Sequence, residues 1–293
     1  MSFGWAVGNA KNGLVKTCGS LCDFTGDLNL KGENSHMAES DSVRKIVKVV
    51  VAIPNEGATH FMAYDNHSLF MLHLGIIQEK SKHEPVTKDG AIFEFYHFTA
   101  GRLLTPAARE ALTDHALAAG MDMMLMIDDD MLVPVDMFER LYDHNVDIVA
   151  PLAFTRNSPH MAVIYNCESG SDPVTRNDYF INHYVRNYPE NQLVRCDAVG
   201  FGSALIKMDV VRRMKKPYFM STCGTGEDIL FCYNAQQQAG AKVYMDTATK
   251  LGHLTTPIVV DETYAKWYWA TQEKKDVKKE HSEYSKYKEA VAV

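Results

Sequence analysis

Met123-Met124-Leu125-Met126-Ile127-Asp128-Asp129-Asp130 passes in one step from an unbroken apolar run to three adjacent carboxylates. A short apolar run bounded by polar residues suits a strand buried on both faces of a parallel sheet. Carboxylates directly after such a strand stand where open α/β sheets bind ligands, outside the carboxyl ends of the strands. A row of acids at that edge is unfavourable unless a cation neutralises it, and hard oxygen donors suit Mg2+ or Mn2+. In extended chain the two-residue repeat turns Asp128 and Asp130 to the same side. Taken alone, the same acids also suit a surface turn or the start of a helix before Pro134.

Upstream, Ile46 to Ile53 is β-branched and almost continuously apolar, a second buried strand, and it ends at the turn-forming Pro54-Asn55-Glu56-Gly57. Thr105 followed by Pro106 reads as an N-cap with proline at the first helical position, and that helix closes at Gly120. Downstream, Pro134 to His144 has helical spacing through Met137, Phe138 and Leu141, and Asp147 to Ala150 supplies another strand. Polar loops are expected around 168–192, a strand over Gly202 to Met208, a helix from near Thr225 to Gly240, and a strand over Lys242 to Asp246. Buried strands alternating with helices predict an α/β fold with a mostly parallel central sheet flanked by helices.

At 293 residues, with 46% apolar and 10% aromatic content, the chain can form a sizeable core. Residues 1–42 read as a flexible leader, 43–260 as one catalytic domain, and 261–293 as a helical and aromatic tail carrying Trp267 to Trp269 and a Lys/Glu-rich end. Met37, just before the first strong strand, is a candidate start of translation, which N-terminal sequencing of native protein would test. A net charge of -7 leaves no general footprint for a nucleic-acid backbone. No apolar run reaches the ~18–20 residues of a membrane span, and no secretory signal is visible, so the expected compartment is the cytoplasm. Cysteines 18, 22, 167, 196, 223 and 232 form no paired CxxC sets and suggest neither a disulfide framework nor a structural zinc site.

Three further groups bear on chemistry. Gly226-Glu227-Asp228 opens a helix, where acids complement the dipole; the same junction can also aim a general base into a cleft. His253 follows Leu251-Gly252 after the strand ending at Asp246; by itself it suits a structural histidine. Val199-Gly200-Phe201-Gly202-Ser203 fits a tight turn before a strand, or a small-residue segment that lets a ligand approach the backbone.

Taken in order, these pieces resemble the GT-A glycosyltransferases, family 2-like members above all, over about residues 46–256. The likeness is carried by Ile53-Pro54, Ala108-Arg109-Glu110, Met126-Ile127-Asp128-Asp129-Asp130-Met131, Gly226-Glu227-Asp228-Ile229-Leu230-Phe231, Ala239-Gly240 and Gly252-His253. The resemblance implies a Rossmann-like GT-A fold and metal-dependent, inverting transfer of a sugar from a nucleotide-diphosphate sugar to an acceptor hydroxyl. It implies a Mn2+ or Mg2+ site from the DxD pair Asp128 and Asp130 with His253, and Asp228 as the base, with Glu227 as neighbour or substitute. Pro54, Glu56, Arg109, Asp128 and Asp129 would meet the donor, and Gly200 and Gly202 the acceptor side. The acceptor stays open among a glycan, a lipid-linked sugar, a protein and a modified nucleic-acid base. Two departures stand out: Asn55-Glu56-Gly57-Ala58 replaces the usual start after the first strand, and leader and tail have no counterpart.

Two other activities share such features. A sugar-phosphate nucleotidyltransferase also sets carboxylates and metal at a strand end, but usually has a glycine-rich, basic loop after the first strand, which Pro54-Asn55-Glu56-Gly57 lacks. A non-catalytic nucleotide- or carbohydrate-binding protein would have no need of Asp128, Asp130, Asp228 and His253 together.

Overall fold

A computed structural model describes residues 14–15, 44–55, 59–171, 178–222, 224–255 and 258–272. Glu56, Cys18, Cys22, Cys223, the lysine-rich end from 273, and the leader other than its residues 14–15 lie outside the described residues. Among the described residues the core is an eight-stranded sheet. Its parallel half joins β2 (Ile46–Asn55) to β3 (Ile92–Gly101) on one side and to β4 (Met123–Ile127) on the other. At the far side β6 (Ile148–Leu152) and β12 (Val243–Lys250) run in the same direction. Between the halves lies β11 (Ser203–Lys207), antiparallel to both β4 and β6. The edges are β9 (Leu193–Cys196), antiparallel to β12, and β1 (Leu14–Val15), antiparallel to β3. Five strands thus share one direction, as expected for a mostly parallel sheet, with one reversed strand at its centre.

The continuous apolar runs serve a sheet covered on both faces, because successive side chains enter opposite layers. Val50, Ala52, Met124 and Met126 pack into one cluster, beneath α2 (Thr105–Ala118), α4 (Met208–Arg212) and α5 (Glu227–Ala239). Val49, Val51, Leu125 and Ile127 pack into the other, beneath α1 (Phe61–His83) and α3 (Met137–Tyr142). Gly240 (φ 63°) ends α5 in the left-handed region, as its position after the helical pattern predicts.

Several elements depart from expectation. Thr105 is the first residue of α2; the capping position falls on Leu104, which makes no side-chain cap bond. Residues 134–136 form a turn, closed by Met137 N donating to Pro134 O at 3.1 Å, so α3 is shorter than its apolar spacing suggests. The polar stretch read as loops holds a hairpin of β7 (Ile164–Ser171) and β8 (Asp178–Tyr184), with β10 (Ala198–Val199) completing a small sheet. Its exposed face explains the polarity that hid it. A second small sheet joins β5 (Met131–Leu132), β13 (Gly252–Thr255) and β14 (Ile258–Val260). Residues 262–272 are helical. There Trp269 donates to Pro159 O at 2.6 Å and packs on Phe154, whereas Trp267 is exposed. Among the described residues no helix is long and apolar enough to cross a membrane.

Candidate functional site

The three acids leave the sheet at the carboxyl end of β4. Asp128 N donates to Gly202 O at 2.9 Å, tying the run to the reversed strand, and Met131 N returns to Asp128 O at 3.2 Å, so the chain turns back at once into β5. β5 pairs with β13 in the register Met131 to His253, and Leu254 N donates to Asp130 O at 2.9 Å. Two residues far apart in sequence are thereby clipped together: His253 Nε2 lies 3.3 Å from Asp130 Oδ2.

His253 Nδ1 lies 2.7 Å from the Phe154 carbonyl oxygen, which can only accept, so Nδ1 carries the proton. In neutral imidazole Nε2 is then an acceptor facing a carboxylate oxygen, an arrangement that calls for a proton or a metal ion between them. Metal-ligating histidines are oriented in this way by a carbonyl on the other nitrogen. Arg156 Nη1 meets the same Asp130 oxygen at 3.0 Å. Burial alone would raise the Asp130 carboxyl, but hydrogen bonding and charge from His253, with Arg156 added, outweigh it and hold the group below the usual range.

Asp128 has a different partner. Arg109, buried on α2, places Nη2 at 2.8 and 2.9 Å from the two Asp128 oxygens and at 3.1 Å from Phe201 O, while Nη1 bonds Glu227. Arg109 thus stands beneath the site as the shared counter-ion of acids from β4 and α5, where the sequence reading has it facing a nucleotide. Burial pushes the Asp128 carboxyl above its ordinary range, and neighbouring Asp130 and Glu227 add to that, against the pull of Arg109. Among the described residues no three His, Cys, Asp or Glu side chains cluster closely enough to hold a metal by themselves.

Asp228 sits in the first turn of α5. Its Oδ1 accepts from Ile229 N at 2.8 Å and its Oδ2 from Phe201 N at 3.3 Å. Burial raises its carboxyl, Arg109 opposes, and Glu227 adds to the rise. Two clefts meet here. One of about 550 Å3 is lined by Pro54, His60, Thr105, Asp128, Asp129, Asp130 and Arg156. The other, of about 300 Å3, shares Thr105, Asp128 and Arg156 with it and is lined by Arg109, Gly200, Gly202, Glu227, Asp228 and His253. Both lie within the size range of small-molecule sites, ~300–1,000 Å3. Every predicted site residue among those described therefore lines one cleft or the other. The sequence reading missed Arg156, His60 and Thr105. The rule that ligands gather beyond strand ends flags Arg156, four residues after β6, and nothing local marks the other two.

The small size of Gly200 and Gly202 has a packing reason. A Cβ on Gly200 would fall 2.8 Å from Val163 Cβ, and one on Gly202 3.1 Å from Met131 Cε. Gly200→Ala is expected to destabilise the fold by about 1–3 kcal/mol through overpacking, with Val163→Ala in the same chain recovering part of the loss. Urea midpoints of the two variants check this; equal midpoints for wild type and Gly200→Ala would show that the backbone shifts freely.

No family model matches the chain, and no curated protein matches it. Among solved structures it is similar to A197 from STIV, with 15% identity, 71% of this chain and 86% of that chain covered, and a TM-score of 0.45. It is similar to GalNAc-T7 crystallised with UDP, GalNAc and Mn2+, with 11% identity, 73% and 45% covered, and a TM-score of 0.37. It is also similar to UDP-glucose pyrophosphorylase complexed with UDP-glucose, with 7% identity, 77% and 99% covered, and a TM-score of 0.37.

Proposed function

We propose that this chain transfers a sugar from a nucleotide-diphosphate sugar to an acceptor hydroxyl, with a divalent cation at Asp130 and His253. The observation that carries the reading is the meeting of the two clefts: the Asp128-Asp129-Asp130 edge lines the larger, and the desolvated Asp228 lines the smaller, which opens on the same edge. A buried carboxylate with a raised pKa is suited to take a proton from a hydroxyl. A phosphate nucleophile is already anionic and needs no such base, which favours sugar transfer over nucleotidyl transfer.

The donor set of carboxylate oxygen and carbonyl-oriented imidazole fits Mn2+ better than Mg2+, which prefers oxygen donors throughout; phosphate oxygens and water would fill the remaining positions. When bound, the ion supplies charge neutralisation for a diphosphate leaving group. The chain's own residues do the rest. Arg156, exposed where the clefts join, presents a guanidinium to anionic oxygens. Arg109 holds Asp128 and Glu227 in place from below. Asp228 takes the acceptor proton from the smaller cleft, and the acceptor oxygen displaces the nucleoside diphosphate with inversion at the anomeric centre, the outcome that the resemblance to inverting GT-A enzymes implies. Pro54 and Asp129 border the donor, and Gly200 and Gly202 the acceptor.

The test is release of nucleotide from a panel of UDP-, GDP-, TDP- and CMP-sugars with Mn2+, with Mg2+ and with chelator. Metal-dependent release from one donor is expected. No cleavage and no binding of any donor under any metal condition overturns the reading. His253→Ala is expected to weaken Mn2+ affinity at least about tenfold, the smaller loss seen when only an outer partner of a ligand is removed. Titration with the nucleotide found in the panel checks this, and an unchanged affinity would remove His253 from the metal role.

A further inference from the structure

α1 is apolar on two opposite sides. Its inward face, Ala63, His67, Phe70, Leu74, Ile77 and Ser81, is buried against the sheet. At about 100° per residue, Met62, Leu69, Ile76 and Leu72 fall in one stripe about 80° wide, centred roughly 140° round the helix from that face, with Phe61 at its border. These five side chains are between 45% and 76% exposed. A helix face of this kind in water marks an interaction surface, since scattered single residues need no explanation but a contiguous row does.

The polar residues on the stripe indicate what covers it. Asp65 lies toward one end and Lys80 toward the other, both exposed. Neighbouring polar side chains have partners within the chain: Glu79 meets Lys82 at 2.8 Å and His83 at 3.2 Å, and His73 meets Glu139 at 2.7 Å. Asp65 and Lys80 form no ion pair among the described residues. A stripe with an acid at one end, a base at the other and apolar residues between is self-complementary under a twofold axis. With that axis between residues 72 and 73, Asp65 faces Lys80 of a second copy, Leu69 faces Ile76, and Leu72 meets its own counterpart.

We propose that α1 is the interface of a homodimer in which the two α1 helices pack antiparallel through this stripe. The five apolar side chains offer roughly 500 Å2 per copy, at about 100 Å2 each for their exposure. A standard interface takes about 800 Å2 per partner, and the polar flanks of the helix supply the difference. The stripe lies on the opposite layer from α2 and α5, and only its Phe61 end adjoins the larger cleft, through His60.

Sedimentation and light scattering on the full chain, from low to high micromolar concentration, read the assembly directly. Twice the chain mass is expected for wild type. Asp65→Lys and Lys80→Asp each place like charges opposite one another and are expected to shift the dissociation constant up at least about tenfold; the double exchange Asp65→Lys with Lys80→Asp restores it. Leu69→Asp with Ile76→Asp yields monomer with unchanged circular dichroism. All four positions are exposed, so folding is not at issue, and restoration by the double exchange is an outcome that general destabilisation cannot produce. A wild-type monomer at high micromolar concentration overturns the proposal, whether the stripe is then covered by residues 1–43 of its own chain or by a lipid surface. So does a dimer indifferent to these changes, or a double exchange that fails to recover association.

Discussion

Arg109→Met is expected to destabilise the fold by about 3–5 kcal/mol, the loss typical when one partner of a buried charge cluster is removed and the others are left uncompensated. The magnitude follows from what the guanidinium holds. Arg109 is 3% exposed, bonds carboxylates from β4 and α5, and also donates to Phe201 O in the turn that carries Gly200 and Gly202. Methionine fills similar space without a charge, so the effect reads electrostatics more than packing. Arg109→Lys should fall between, since one ammonium cannot span acceptors that a planar fork reaches together.

The pH dependence distinguishes this account from simple loss of packing. Asp128 and Asp228 already titrate above their ordinary range in the folded chain, chiefly through burial, and Arg109 opposes that rise at both. A carboxyl whose folded pKa is raised binds its proton more tightly folded than unfolded, so its ionised form weighs against the fold as pH rises. Without Arg109 both groups rise further. The deficit of Arg109→Met should therefore be full near neutral pH and shrink as pH falls toward the ordinary carboxylate range near ~4. Urea unfolding in chelator across that window measures it. A deficit that stays constant with pH would show that the guanidinium acts as a spacer.

Much of this was legible in the chain. The strands β2 and β4 announce themselves because a strand covered on both faces has no polar side to interrupt its apolar run, and α5 is bracketed by an acidic start and a left-handed glycine. α1 escaped notice for the opposite reason. Its outward stripe adds apolar residues where a one-sided helix would be polar, which erases the period that marks a helix. The reversed strand β11 reads as a strand but not as reversed, since direction is set by pairing with β4 and β6 and leaves no local trace. In the site, the acids could be found by their place after a strand, but their partners could not. That Asp130 faces His253 while Asp128 faces Arg109 depends on the pairing of β5 with β13 and on the burial of one face of α2. These pairings give the two aspartates different partners, although sequence spacing makes them look equivalent.

Asp228→Asn is expected to lower sugar transfer by about 10²–10⁴-fold, the range contributed by a positioned general base, while nucleotide affinity stays within about twofold of wild type. Asparagine keeps the size of the side chain and one acceptor oxygen, which retains the shorter bond from Ile229 N at 2.8 Å and gives up the longer one from Phe201 N at 3.3 Å, so the start of α5 should hold at a small cost in stability. What it loses is the site for a proton. Because burial raises the Asp228 carboxyl, the wild-type rate should begin to fall with decreasing pH above the ordinary carboxylate range, as the base becomes protonated. The variant should lack that acid limb. Glu227→Gln provides the contrast: its carboxylate is bound to Arg109, so its loss should appear first in stability and only secondarily in rate. A structural role for Asp228 at the helix start predicts the reverse pattern, a lower unfolding midpoint with near-normal turnover and an intact acid limb. Transfer rates and pH profiles of the two variants, taken with the donor identified by the panel, separate these readings, and near-normal turnover in Asp228→Asn would remove it from the base role.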